Sequence, residues 1–268
     1  MSDRLPEIVV DPEPDPRRRR AGRVIAVVAG LLVLALVAGA ALVLLVPREA
    51  APEEQIATGP FPVPGTNPSF QPRAAFDMQA HSLDDPRSPW VVVNKQRPFQ
   101  PKDWEPSDLV AVPVPYVNPA YMRSEAAEAI GRMFDDFEEQ TGKRMQILSS
   151  YRSYAAQQQV YGGNDLLTAR PGFSEHQTGW VADIDALPRV CSLQRCFEDT
   201  PQGEWLARHA WEYGFILRYP DGLTHITGYQ YEPWHFRYVG EELAAEMHDQ
   251  GVRTLEEFFD LPFAPDYD

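Results

Sequence analysis

Two short stretches hold most of the residues in this chain that are able to do chemistry. FSEHQTGWVADID, residues 173–185, carries His176 and Asp183 on either side of a Gly, and YEPWHFRY, residues 231–238, carries Glu232 and His235. Upstream, YRS places Arg152 between Tyr151 and Ser153. Imidazole and carboxylate are donors that Zn2+ accepts, and a catalytic zinc site takes three protein ligands while keeping one position open. His176, Asp183 and His235 supply such a set. A carboxylate beside the ion can take and return a proton, a role for Glu232. A permanent cation can steady a developing oxyanion, a role for Arg152. One at a time these residues say little: a His seven positions before an Asp recurs by chance, and a lone His is most simply a hydrogen-bonded structural residue. The two motifs together, with the Arg ahead of them, favour a site.

Such groups need elements to hold them. The pattern predicts a helix over 118–140, because Ile130, Met133, Phe134 and Phe137 recur at i, i+3, i+4 and i+7 and Thr141-Gly142 supplies a stop. Strands are expected at 145–150, 179–184, 215–219 and 234–239, with WVVVNK near residue 90 as a further short strand. The prolines of DLVAVPV, 108–114, argue for an edge or extended segment. Short helices are expected through Gln157 and Tyr161, over 201–213, 241–249 and 254–259. Irregular alternation with hairpin-like turns predicts an α+β fold, a small and mostly antiparallel sheet with flanking helices. In a regular strand, residues three apart face opposite ways. Glu232 and His235 can therefore share a site only if Glu232 lies at a turn or a strand entrance. Asp185 shares the strand face of Asp183 and reads as solvent-exposed or as a support for the ligands. Trp180, Trp234 and Phe236 read as core and pocket walls, His225 as structural or rim, and His81, His209 and His248 as surface or packing residues.

Ahead of this region the composition changes. Residues 1–23 are rich in Pro and acids and end in an Arg cluster, Arg17 to Arg20 and Arg23; they read as a disordered tail. Residues 24–46 contain only Val, Leu, Ala, Ile and Gly. As a helix of ~1.5 Å per residue they would span roughly 34 Å, enough for a hydrocarbon core of about 30 Å. The preceding arginines keep the N-terminus in the cytoplasm by the positive-inside rule. The expected layout is a single-pass anchor in the cell membrane, a Pro-rich stalk over 47–73 and an extracytoplasmic domain over 74–268. The formal net charge of −15 disfavours nucleic acid and anionic lipid as partners. Only two cysteines occur, Cys191 and Cys196 in CSLQRC. A zinc half-site would lack its second pair, so for a domain outside the cell a local disulfide is the better reading.

The sequence resembles the VanY-like zinc D-alanyl-D-alanine carboxypeptidases of the peptidoglycan-processing LAS group. The likeness runs over roughly residues 90–240 and rests on VVVNKQRPFQP, SSYRSYAAQQQVY, RPGFSEHQTGWVADI, GFILRYP and ITGYQYEPWHFRYVG, in that order. It implies His176, Asp183 and His235 as zinc ligands, Glu232 as general base and Arg152 as the group that polarises the scissile carbonyl. Ser174 and Gln157 match positions lining the substrate site, and Tyr151 is grouped with them. Where the family has a small Ala two residues after the Gly, this chain has Val181, with Ala182 next. The implied activity is removal of the terminal D-alanine from peptidoglycan stem peptides. L,D-carboxypeptidases and cross-bridge endopeptidases would use the same metal residues and differ in their pocket walls. A non-catalytic peptidoglycan-binding module would be expected to lose the base or a ligand, and this chain keeps both.

Overall fold

The apolar runs around the two motifs are too short for helices and pair instead into one antiparallel sheet. The structure is a computed structural model and describes residues 76–268. The expected tail, membrane helix and stalk, with the first two residues of the expected domain, lie outside the described residues. Among the described residues no helix is long and apolar enough to cross a membrane.

The chain first forms a two-stranded ribbon, β1 (Leu109–Ala111) with β2 (Tyr121–Arg123). It then enters α1 (Ser124–Thr141). The helix begins later than its apolar spacing predicts, because Tyr121, Met122 and Arg123 are taken up by pairing with β1. It ends at Gly142, whose φ of 66° lets its N–H reach the Glu138 carbonyl at 2.8 Å. The stripe Ile130, Met133, Phe134 and Phe137 is buried. Each such side chain contributes about 1.5–3 kcal/mol on leaving water.

The main sheet has the order β3-β4-β6-β5, from β3 (Arg144–Ser149), β4 (Val181–Leu187), β5 (Phe215–Leu217) and β6 (His235–Tyr238), every neighbouring pair antiparallel. Between β3 and β4 lies α2 (Tyr154–Val160). Between β4 and β5 lies α3 (Pro201–His209), followed by a 3₁₀ turn at Ala210–Tyr213 where the sequence suggested one continuous helix. The short α4 (Thr224–Thr227) precedes β6, and α5 (Glu241–Gln250) and α6 (Leu255–Phe258) close the chain. The apolar positions of α1, β3, β4 and β6 form one core with Trp205 and Phe215.

WVVVNK is not a ladder strand; its pairing is a single bridge, Asn94 with Arg97. Its side chains nonetheless alternate as a strand's would. Val91 and Val93 enter the main core, while Trp90 and Val92 enter a second one with Ile216, Leu243 and Leu255. Burial on both sides, rather than a hydrogen-bonded neighbour, explains the apolar run.

Candidate active site

Register brings the donors together. Asp183 on β4 is the direct cross-strand partner of His235 on β6, and Ser149 on β3 pairs with Asp183 from the other side after an irregularity in the ladder. His176 lies in a 3₁₀ turn, Glu175–Thr178, that ends at Gly179 with φ 74°. That left-handed turn reverses the chain into β4, and a Cβ there would come within 2.9 Å of Leu109. His176, Asp183 and His235 are all buried, with one ligand atom from each lying within 4.8 Å of the others. Glu232 lies just before β6, its carbonyl accepting the His235 N–H at 3.1 Å, so the chain turns at Pro233-Trp234 as the E-x-W-H spacing required. Its carboxylate is 3.6 Å from His235 Nδ1. The Arg152 N–H donates to the His176 carbonyl at 3.2 Å.

The donor atoms are prepared for a cation. His176 Nδ1 donates to the Ser150 carbonyl at 2.7 Å, which leaves Nε2 with its lone pair, 3.3 Å from Asp183 Oδ2. Burial, and then the charge of Arg152, lowers the His176 pKa and keeps the ring neutral. His235 turns Nδ1 towards Asp183 Oδ1 at 3.2 Å and Nε2 towards Glu175 Oε2 at 3.6 Å. Asp183 Oδ1 is buried with no hydrogen-bond partner. A buried carboxylate whose two oxygens each face one imidazole, with one oxygen left without a hydrogen bond, is costly unless a cation accepts it. Two nitrogen donors and one oxygen donor fit Zn2+.

Burial pushes the Glu232 carboxyl up to about 8, against the pull of His235 and Arg152 and with Asp183 adding to the rise. Burial would lower His235, but the Asp183 and Glu175 carboxylates outweigh it and carry the imidazole up to about 9. A ring held in that protonated form gives up its proton when a metal binds.

Beneath the donors lies a charge network with no counterpart in the sequence reading. Glu175 is fully buried, and its Oε1 accepts from Arg218 Nε at 2.8 Å and from Arg237 Nη1 at 3.0 Å. Burial alone would raise its pKa; the two guanidiniums outweigh burial and hold it well below the usual carboxylate range. Arg218 also grips Glu256 of α6 through Nη1 at 3.0 Å and Nη2 at 2.7 Å, and Asn94 donates to the same carboxylate at 2.9 Å. Arg237 donates to the carbonyls of Pro89 and Val91. One signal in the sequence pointed here: Arg218 and Arg237 stand in otherwise apolar strand segments, and arginines so placed require a buried counter-charge.

The donors open onto a cavity of about 310 Å³ whose lining includes Arg152, Ser174, Glu232, Tyr219, Tyr229 and Trp234. Ser174 thus lies where the resemblance placed it. Gln157 and Tyr151 are not part of that lining. Gln157 is buried behind the wall because its amide donates to the Ala169 carbonyl at 2.7 Å. Tyr151 is half-buried, its N–H donating to the Tyr121 carbonyl at 3.1 Å. Asp185 is fully buried rather than exposed: it accepts from the Ala186 N–H and from the Ser192 hydroxyl, and Arg189 stands 3.4 Å away. It anchors the loop closed by the Cys191–Cys196 disulfide, whose Cα atoms are 5.6 Å apart. That loop also supplies Leu193 to the cavity wall.

A small antiparallel sheet bearing a metal-competent His-Asp-His centre at the floor of a cavity defines this as an α+β metal-binding domain. The family profile described as VanY, D-alanyl-D-alanine carboxypeptidase, matches residues 119–241. YodJ of Bacillus subtilis (strain 168) is 38% identical over 193 residues, covering 67% of this chain and 70% of YodJ. The chain belongs to the VanY carboxypeptidase family. Among solved structures, that of the LdcB LD-carboxypeptidase aligns with a TM-score of 0.60 at 38% identity, over 65% of this chain and 87% of that one. VanY from the VanB-type vancomycin resistance cassette, a D,D-pentapeptidase in complex with Zn(II), aligns with a TM-score of 0.52 at 28% identity, over 63% and 97%.

Proposed function

We propose that this protein is a membrane-anchored, zinc-dependent D-alanyl-D-alanine carboxypeptidase acting on peptidoglycan stem peptides outside the cell membrane. The observation that carries the reading is the buried set His176, Asp183 and His235 with Glu232 3.6 Å from His235, at the floor of a cavity that also holds Arg152.

When bound, zinc supplies Lewis acidity towards a peptide carbonyl and towards water. Glu232, its proton affinity raised by burial, takes the proton of the attacking water and hands it to the leaving amine. Arg152 faces the charge that develops on the carbonyl oxygen; burial lowers its pKa and the Asp183 and Glu232 carboxylates offset only part of that, but a guanidinium starts high enough to stay cationic. Ser150 holds the His176 ring in the tautomer that presents Nε2. The apolar run 24–46 behind its arginines supports the anchor, and the domain's position outside follows from that charge order.

A second reading, L,D-carboxypeptidase, is favoured by one observation: the LdcB structure is more similar in sequence and shape than the VanY structure. Mass spectrometry of products decides between them. The full-length zinc-loaded protein is offered a pentapeptide stem ending in D-Ala-D-Ala and the tetrapeptide that lacks the last residue. Loss of one alanine from the pentapeptide alone supports the proposal, and loss from the tetrapeptide alone supports the second reading. Release from neither sinks both. Membrane fractionation of cells, with and without protease outside, tests the anchor and its orientation.

A further inference from the structure

The outer wall of the cavity is built by two loops. One contributes Leu167, Thr168 and Ala169, and the other contributes Tyr229 and Gln230. They touch each other directly, since the Gln230 N–H donates to the Leu166 carbonyl at 3.1 Å. Both are also held from outside by residues 263–267, a segment beyond the span of the family profile.

The hydroxyl of Tyr267 accepts the Arg170 N–H at 2.8 Å, at the end of the first loop, and lies 3.2 Å from the hydroxyl of Tyr229 in the second. The Arg170 guanidinium stacks 4.2 Å over the Tyr267 ring and is itself fixed by Asp165 at 2.7 Å. Phe173, next to Ser174, meets the same ring edge to face at 5.0 Å. Lys95 stands over the rings of both Tyr229 and Tyr267 and donates to the Pro265 carbonyl at 3.2 Å.

The backbone is shaped to receive this segment. The Ala264 N–H donates to the Ile226 carbonyl at 2.8 Å, and Gly228, with φ 83°, approaches so closely that a Cβ would lie 2.4 Å from the Ala264 carbonyl oxygen. Only glycine meets both demands.

We infer that Tyr267 is a positioning residue for peptide binding: its hydroxyl and ring clamp the Leu167–Ala169 and Tyr229–Gln230 walls to each other from outside the cavity. Tyr267 touches neither the metal donors nor Glu232, so its loss moves substrate affinity and leaves the chemical step alone. The kinetic part of this inference rests on the peptidase reading; the clamp itself does not.

The test uses the full-length, zinc-loaded protein and its Tyr267→Phe and Tyr267→Ala variants. Net hydrogen-bond energies predict a KM for the stem peptide raised about 2- to 10-fold in Tyr267→Phe, and further in Tyr267→Ala. Turnover and one zinc per chain are expected to stay within twofold of the parent. Amide hydrogen exchange is read in parallel at 165–170 and 226–230, where both variants should exchange faster while β4 and β6 do not. Unchanged exchange in both loops of Tyr267→Ala overturns the clamp, whatever the activity. A fall in turnover together with zinc content overturns it too, since Tyr267 would then support the whole domain. If the parent cleaves no stem peptide, the peptidase reading fails while the exchange measurement still decides the clamp.

Discussion

Asp183 and His235 occupy paired positions on adjacent strands, whereas Leu167, Thr168, Tyr229 and Gln230 are carried on loops that belong to no ladder. On the floor, position is set by cross-strand register, where a slip of one residue would turn every side chain to the opposite face. On the wall, position is set by a few side-chain contacts near the surface, among them Tyr267 with Arg170 and Tyr229. The floor also rests on fully buried ions, Glu175 with Arg218 and Arg237. Loss of one partner in such a set leaves an uncompensated charge in the interior. The wall holds no buried ion pair of that kind among the described residues. A sheet-borne floor therefore tolerates less change than a loop-borne wall.

That contrast can be broken at graded cost. The largest expected effect is at the base: Glu232→Gln should lower kcat by about 10²- to 10⁴-fold with zinc content unchanged, read by steady-state kinetics and metal analysis. Activity close to the parent's would remove Glu232 from the chemistry. Next, Arg152→Ala should cost about 10²- to 10³-fold in kcat with a smaller change in KM. A pure KM effect would move Arg152 from the floor to the wall in function.

Third, Glu175→Gln removes the charge between two buried arginines and weakens the partner of His235 Nε2. Zinc affinity should fall by about 10- to 100-fold in competition with a chelating dye. The metal-free protein should also lose about 3–5 kcal/mol of stability in urea. If affinity and stability both hold, the floor is as tolerant as the wall and the comparison fails. The smallest effect should come from the Cys191→Ser, Cys196→Ser double variant. The disulfide closes a very short loop, so its loss should cost about 2 kcal/mol by the chain-entropy estimate. Turnover should change little, because the loop reaches the cavity through Leu193 alone among its wall residues.

Much of the floor was legible in the sequence, because metal chemistry restricts the residue types and E-P-W-H demands a turn that Pro233 favours. The helix stripe was legible from its spacing, but its start was not: Tyr121–Arg123 belongs to a ribbon whose other strand lies ten residues upstream. Asp185 read as exposed because alternation alone assumes one wet face, and β4 is buried along nearly its whole length. Gln157 read as a substrate contact by its place in a motif, yet its amide serves the Ala169 carbonyl behind the wall.

By itself the sequence determined the donor set, the Glu and Arg beside it, the α+β class and the apolar run ahead of the domain. The α+β class and the apolar run follow from residue type and near spacing, whereas the donor set with its Glu and Arg rests on separate motifs and the family they resemble. Only the tertiary structure decided that Glu175 is a buried anion rather than a solvated one, because its partners stand 43 and 62 positions away. It likewise decided that Tyr267 packs behind the two loops that wall the cavity. Burial and charge pairing depend on which distant segments meet, and local periodicity carries no record of that meeting.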